Sequence, residues 1–323
     1  MGASFRTALV LNPRSGGQRG DRARREIVRT FHEMFPGCEA RETRQAGDAE
    51  GIVRSFLEEG YECVAVGGGD GTFNEAVNGY FRPVPAGAGM DPAGPAPVAR
   101  GACLAILPIG TGGDFRRSLG LEPDPIAAMS LLSGKSSRAV DVGHAEYTDP
   151  DGRPASRFFL NVTSFGLGGL VDEHVNRSRR KLPGSLAFFA ATVRAFVEYD
   201  NVRVRVLVDR SEQKVERAAV VAVANGRFFG GGMEVAPVAR IEDGLLDVVI
   251  MGDLGLRDFI FHAGKIYGGR ILDHPLVQHR PAREVVIDCV EEGEVMLMDM
   301  DGEPLGRLPA SLRVCPGALR IKT

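Results

Sequence analysis

Three glycine-bearing segments carry residue types that suit phosphate. The first, Val64-Ala-Val-Gly-Gly-Gly-Asp-Gly-Thr-Phe-Asn-Glu75, runs from an apolar strand pattern through glycines into a helical stretch. Glycines after a strand let the backbone approach a ligand, and the free N–H groups of a helix start attract an anion. An ordinary tight turn is the plain alternative, and for a lone glycine pair it would be preferred. Three glycines with Asp70 and Thr72 at the helix start favour phosphate. Thr72 stands where a dinucleotide Gly-x-Gly-x-x-Gly has its last glycine, and no Gly-x-x-x-x-Gly-Lys-Ser/Thr occurs, so neither common nucleotide fingerprint is present.

A second loop, Leu11-Asn-Pro-Arg-Ser-Gly-Gly17, and a third, Leu107-Pro-Ile-Gly-Thr-Gly-Gly-Asp-Phe115, also end strand-like runs. Loops at the carboxyl ends of parallel strands share one edge of a sheet, so the three can line one crevice. Asp70 and Asp114 would then stand near bound phosphates, an arrangement of like charge that a divalent cation relieves; Mg²⁺ is the expected one.

The elements that must position these loops follow from the spacing of apolar residues. Strands are expected at Thr7 to Leu11, Cys38 to Thr43, Cys63 to Val66 and Cys103 to Leu107, with helices at Asp21 to Met34, Asp48 to Glu58 and Thr72 to Phe81. Such alternation predicts a parallel α/β sheet. The Pro-, Gly- and Ala-rich stretch from Arg82 to Gly101 reads as a surface loop between a helix and the next strand. From about Arg138 strand-like runs dominate, including Phe158 to Val162, Val202 to Val208, Ala218 to Ala224, Leu245 to Ile250 and Glu284 to Cys289; one apolar helix is expected at Ser185 to Tyr199.

Composition narrows the function classes. With 323 residues and 44% hydrophobic residues the chain is long enough for two domains. Its 39 Lys and Arg against 42 Asp and Glu give a formal charge of −3, which argues against nucleic acid as partner. The five cysteines are scattered and never spaced as CxxC, which fits a reduced cytosolic compartment. No run of 18 apolar residues occurs, so no transmembrane segment is expected, and Met1 to Pro13 holds too short an apolar stretch for a signal peptide. The six histidines show no metal-ligand spacing.

The ordered set of segments resembles the diacylglycerol kinase catalytic-domain family, which includes bacterial lipid kinases and the sphingosine and ceramide kinases. The resemblance spans nearly the whole chain. It comprises Asn12 to Gly16, Thr43 ahead of Gly47-Asp48-Ala49, Gly68 to Glu75, Leu107 to Thr111, Asp141 in Val-Asp-Val-Gly, Asn225-Gly226 before Gly230 to Gly232, Glu242 to Asp247, and Asp301-Gly-Glu-Pro304. It implies a Rossmann-like α/β nucleotide domain, residues 1–138 plus about 309–323, and a β-sandwich lipid-substrate domain, residues 139–308.

Carried over by resemblance, ATP contacts fall on Asn12, Pro13, Arg14, Ser15, Gly16, Thr43, Gly68, Gly69, Asp70, Gly71, Thr72, Phe73, Asn74 and Thr111. Asp301 becomes the general base, since a carboxylate beside the acceptor hydroxyl can take its proton during attack on the γ-phosphorus. Without the resemblance, Asp301-Gly302 reads as a hairpin turn. Asp70, Asp114 and Asp141 resemble the acidic residues around the catalytic Mg²⁺. A separate structural Mg²⁺ is implied at the Asp243 side chain and the carbonyls of Arg240 and Leu245. One departure stands out: Gly113 occupies the place of the family's usual Asn before Asp114, which removes an amide side chain from the third loop.

The implied activity is ATP-dependent transfer of the γ-phosphoryl group to a lipid hydroxyl, with a diacylglycerol-like acceptor first. The rivals are a soluble NAD or sugar-phosphate kinase, and a non-catalytic lipid or nucleotide sensor. The implied setting is cytoplasmic and transient at the inner membrane surface, with a homodimer as a possible assembly. The basic cluster Arg177, Arg179, Arg180 and Lys181 ahead of the Ser185 helix could meet anionic headgroups, or simply form a solvated loop before a core helix.

Overall fold

The computed structural model describes residues 6–91, 93–110, 112–134, 136–168, 170, 194–195, 198–213 and 217–323. The basic cluster and most of the expected Ser185 helix lie outside the described residues, as does Thr111. The chain divides into two compact units. One comprises Met1–Val84, Met90–Val140 and Gly317–Thr323; the other comprises Pro85–Gly89 and Asp141–Pro316.

In the first unit four strands, β1 (Thr7–Leu11), β2 (Ala40–Glu42), β3 (Cys63–Gly68) and β4 (Cys103–Pro108), pair in parallel in the order β2-β1-β3-β4. Every residue of β1, β3 and β4 is buried, as expected of parallel strands covered on both faces. The covering helices are α1 (Gly17–Met34), α2 (Asp48–Glu58), α3 (Asp70–Tyr80), α4 (Asp114–Leu119) and α5 (Pro125–Ser130). Helix α2 buries Ala49, Val53, Phe56 and Leu57, one stripe at helical spacing. Asp124 caps α5 by accepting the N–H groups of Ile126 and Ala127, with Pro125 at the first helical position. Leu9, Leu11, Ile27, Phe31, Ala65 and Leu107 lie in one of this unit's cores.

The second unit is mainly antiparallel. Its strands are β5 (Arg138–Thr148), which starts in the first unit, β6 (Pro154–Phe159), β7 (Val162–Gly166), β8 (Val204–Val208), β9 (Ser211–Gln213) and β10 (Val220–Ala224). They continue with β11 (Phe228–Phe229), β12 (Met233–Glu234), β13 (Leu246–Met251), β14 (Val277–Ala282), β15 (Glu284–Cys289), β16 (Leu297–Met300) and β17 (Glu303–Ile321). One path runs β14-β13-β10-β7-β16-β17, while β15 joins β17 to β8. Strand β10 alternates: Val221 and Val223 enter a core with Phe165, Met298 and Ile287, whereas Ala222 and Ala224 enter another with Val249 and Ile266. The sheet is therefore buried on both faces at its centre.

Two expectations need correction. The run Phe158 to Val162 is not one strand: Leu160 and Asn161 separate β6 from β7, because a side chain from elsewhere in the sequence takes the N–H groups of residues 160 to 162. A helix absent from the sequence reading, α6 (Leu256–Tyr267), follows β13. Asp258 begins it by accepting the N–H of Gly255 at 2.9 Å. The stretch from Arg82 to Gly101 is irregular, as expected, apart from a bridge between Phe81 and Pro97. Among the described residues no helix is long and apolar enough to cross a membrane.

Candidate functional site

Strand β3 ends in Gly67 and Gly68, and α3 begins at Asp70 without any side-chain cap. Its first N–H groups thus lack intrahelical partners, the arrangement that receives anions. The third loop crosses this turn at backbone contact. Gly68 O accepts N–H groups from Ile109 and Gly110, both at 3.1 Å. A Cβ on Gly110 would stand 2.5 Å from the Gly69 Cα, so only glycine permits this approach.

The loop after β1 is tied to the same place. Asn12 donates through Nδ2 to Thr72 Oγ1 at 2.9 Å and through its backbone N to Gly67 O at 2.8 Å. Its Oδ1 accepts the Arg14 N–H at 2.9 Å and its carbonyl the Ser15 N–H at 3.2 Å, which folds Pro13, Arg14 and Ser15 into a turn. Gly16, in the left-handed region at φ 79°, starts α1. The structure therefore brings Asn12 to Gly16, Gly68 to Thr72, Gly110 and Gly112 to Asp114 together. Phe73 and Asn74 lie one turn into α3 and are buried, Asn74 accepting from Asn78 Nδ2.

Asp70 faces a different set of partners from the one expected. Its Oδ2 accepts N–H groups from Gly113 at 2.8 Å and Asp114 at 3.2 Å, and its Oδ1 accepts that of Phe115 at 3.1 Å. It is thus the anion at the start of α4. Asp114 is buried and pairs with Arg117 at 2.6 Å, while the same guanidinium donates to Gly112 O at 2.7 Å. Peptide dipoles and one arginine hence offset both charges, with no divalent cation required for that purpose. Gly113 has φ 68° and ψ 37°, a conformation that Asn also tolerates. Gly113 thus takes up a backbone conformation that Asn could share, and what its place lacks is the amide side chain.

Thr43 is buried at the end of β2 and donates its N–H to Leu11 O at 2.8 Å. The following loop is held by a residue that sequence reading left without a role. Glu75, on α3, accepts the N–H groups of Gly47 at 2.8 Å and Ala49 at 3.0 Å, capping α2 from a neighbouring helix. Asp48 closes the loop by accepting from Arg44 at 2.7 Å and Gln45 at 3.0 Å, and these backbone bonds hold its carboxyl below the usual range. An open recess of about 810 Å³ lies here, lined by residues that include Arg41, Arg44, Gln45 and Ile52.

In the second unit Asp301 and Gly302 form the two-residue turn between β16 and β17, whose flanking residues Met300 and Glu303 pair. Their φ angles of 52° and 90° suit the Asp-Gly hairpin turn. The Asp301 carboxylate accepts three successive N–H groups, from Leu160 at 2.7 Å, Asn161 at 2.9 Å and Val162 at 3.0 Å. Asn225, fully buried, supports this platform by donating to Leu160 O at 2.7 Å and Asp141 O at 3.0 Å, while Asn161 O accepts from the backbone N of Asn225 and of Gly226. The bland reading of Asp301 as a turn and the reading of a fixed carboxylate thus describe one feature.

Asp141, buried, accepts the Gly244 N–H at 2.7 Å and donates its own N–H to Ile241 O. The structure thereby places it against the 240–245 turn. In that turn Asp243 Oδ1 accepts the Leu245 N–H at 3.1 Å. The donors offered there by Arg240, Asp243 and Leu245 are oxygens, which suits a hard cation. Among the described residues no three His, Cys, Asp or Glu side chains gather as a metal cage. A Mg²⁺ ion accompanying a nucleotide would draw most of its ligands from phosphate and water.

Residues 6–145 match the family profile described as the diacylglycerol kinase catalytic domain, and residues 161–323 match the YegS C-terminal NAD kinase beta sandwich-like domain. A Pseudomonas aeruginosa protein named "Probable lipid kinase YegS-like" is 32% identical over 316 residues, covering 97% of this chain and 92% of its own. A diacylglycerol kinase of Staphylococcus carnosus is 27% identical, with 95% and 91% covered. A solved diacylglycerol kinase from Bacillus anthracis, 23% identical, shares the fold at a TM-score of 0.69 over 98% of this chain and 96% of its own. Yeast NADH kinase, 12% identical, shares it at 0.55 over 99% and 83%. The chain belongs to the lipid kinase family defined by a diacylglycerol kinase catalytic domain followed by a YegS-type C-terminal β-sandwich domain.

Proposed function

We propose that the chain transfers the γ-phosphoryl group of ATP to the hydroxyl of a diacylglycerol-like lipid. The observation that carries this reading is the stitching of three loops around the uncapped start of α3, where Gly68 O, Thr72 Oγ1 and the Asp70 carboxylate each accept hydrogen bonds from a different loop or a different part of one. Preorganised N–H groups at that start stabilise phosphate charge without reorganising during transfer. The nucleoside extends toward Thr43 and the recess beside Gln45.

Asp301 is the general base in this reading, and residues 139–308 receive the lipid. A base must be held still against the hydroxyl it deprotonates, and three amide donors fix the Asp301 carboxylate. Asp70 and Asp114 hold the third loop, and Asp141 holds the turn that would carry the structural Mg²⁺. Bound Mg²⁺ supplies charge neutralisation on the phosphates. The enzyme would work at the cytoplasmic face of a membrane, where its acceptor resides.

The test is transfer of labelled phosphate from Mg-ATP to micellar diacylglycerol, monoacylglycerol, sphingosine and ceramide, with NAD and fructose 6-phosphate as soluble controls. Labelled diacylglycerol is the expected product. Label confined to NAD or the sugar phosphate would overturn the lipid acceptor, and no label in any acceptor would favour a sensor.

A further inference from the structure

Cys63 and Cys103 are the first residues of β3 and β4 and stand directly opposite each other in the parallel pairing of these strands. Neighbouring strands run about 4.8 Å apart, inside the roughly 4.4–6.8 Å between Cα atoms that a disulfide spans. Residues paired in register point to the same face, so both thiols enter one core beside Leu9 and Ala65. Both are free thiols.

The two sulfurs are chemically unequal. The neighbouring sulfurs push Cys63 up and Cys103 down from the ordinary thiol value, and the Cys103 thiol donates to the Glu62 carbonyl at 3.7 Å. The cations of Lys322 and Arg320 lower Cys103 further. A thiolate is the nucleophile in thiol oxidation, and a second thiol beside it resolves the product. Each residue follows a short turn, with Gly60 and Gly101 in the left-handed region, and strand ends open at lower cost than strand centres.

We propose that Cys103 and Cys63 form a redox modification site that takes a peroxide. The Cys103 sulfur attacks one peroxide oxygen; the S–O bond forms, the O–O bond breaks, and the departing oxygen leaves as water with the thiol proton. The Cys63 sulfur then attacks the Cys103 sulfenic sulfur. The S–S bond forms, the S–O bond breaks, and a second water carries away the Cys63 proton. Two thiols are oxidised to one disulfide, and hydrogen peroxide is reduced to two waters. The link would join the two strands that carry the Gly67–Asp70 and Ile109–Gly110 loops.

The experiment exposes the full chain to hydrogen peroxide, alkylates remaining thiols after denaturation, and maps peptides by mass spectrometry. The expected result is a cross-linked peptide pair joining Cys63 to Cys103 that dithiothreitol separates. Cys63→Ser is expected to stop at a Cys103 sulfenic acid trapped by dimedone. The proposal is overturned if Cys63 and Cys103 remain fully alkylatable under exposure that oxidises the half-buried Cys38 and Cys289, or if the only cross-links involve other cysteines. The wild-type map decides the matter even if the variant fails to fold.

Discussion

The Asp70 carboxylate accepts the Gly113 N–H at 2.8 Å, so the first residue of one helix anchors the residue that opens another. The acidic residue at the heart of the glycine motif therefore shapes the third loop. Asp70→Ala leaves three backbone N–H groups without their acceptor, and each such group in a part-buried site costs about 1–3 kcal/mol. The expected outcome is a lower urea midpoint together with loss of nucleotide binding, whereas Asp70→Asn keeps an acceptor oxygen and retains more of the stability. Equal midpoints for Ala and wild type would contradict this role.

Glu75 holds the loop that follows Thr43. Glu75→Ala should weaken ATP binding by roughly tenfold, about the value of one or two charge-assisted hydrogen bonds. The KM for lipid should stay unchanged, and a steady-state split of the two KM values checks it.

Asp301→Asn keeps the turn and removes the basic carboxylate. Transfer should fall by about 10²–10⁴-fold while ATP still binds in a calorimetric titration. If turnover were normal, another residue would be the base.

Burial pushes His144 down from 6.5 to about 4. The unfolded chain then takes up the proton first as pH falls, so the contribution is complete above pH 6.5 and is lost between 6.5 and about 4. At about 1.4 kcal/mol for each pH step this reaches an upper value of about 3 kcal/mol. Denaturation midpoints measured across that window should fall with pH, and His144→Leu should flatten the curve.

Gly113→Asn restores the usual family residue at a left-handed position that Asn tolerates. A Cβ there meets the Arg116 Nε at 3.0 Å, the end of a side chain that can shift. The variant should fold with its stability changed by less than about 1 kcal/mol, and any gain in turnover would measure what the missing amide contributes. A large drop in melting temperature would show that the loop cannot accept a side chain.

Strands with a short apolar or alternating run were readable directly, since the fully buried β1 and the alternating β15 match their expected bounds residue for residue. Likewise α2 declared itself through the spacing of Val53, Phe56 and Leu57. The break at Leu160–Asn161 was hidden because its cause, Asp301, lies about 140 residues away in sequence. The same distance effect concealed Glu75, whose partners at Gly47 and Ala49 sit on another element and leave no local trace. Short α4 was missed because its start signal is a left-handed glycine with Asp70 as a borrowed cap. The glycine motifs were legible as points of close backbone approach, which few other residues can meet.

Strand β17 carries the chain from the second unit back to the first, where Ile321 pairs with Leu104. This has a consequence for vectorial synthesis. The sheet that holds the glycine loops is encoded mostly before residue 108, yet the neighbour of β4 is translated roughly two hundred residues later. During that interval the ribosome-bound nascent chain carries an unpaired edge at β4, the kind of surface that chaperones shield and aggregates recruit. Maturation of the nucleotide-binding unit is thereby made contingent on translation having passed through everything that follows it.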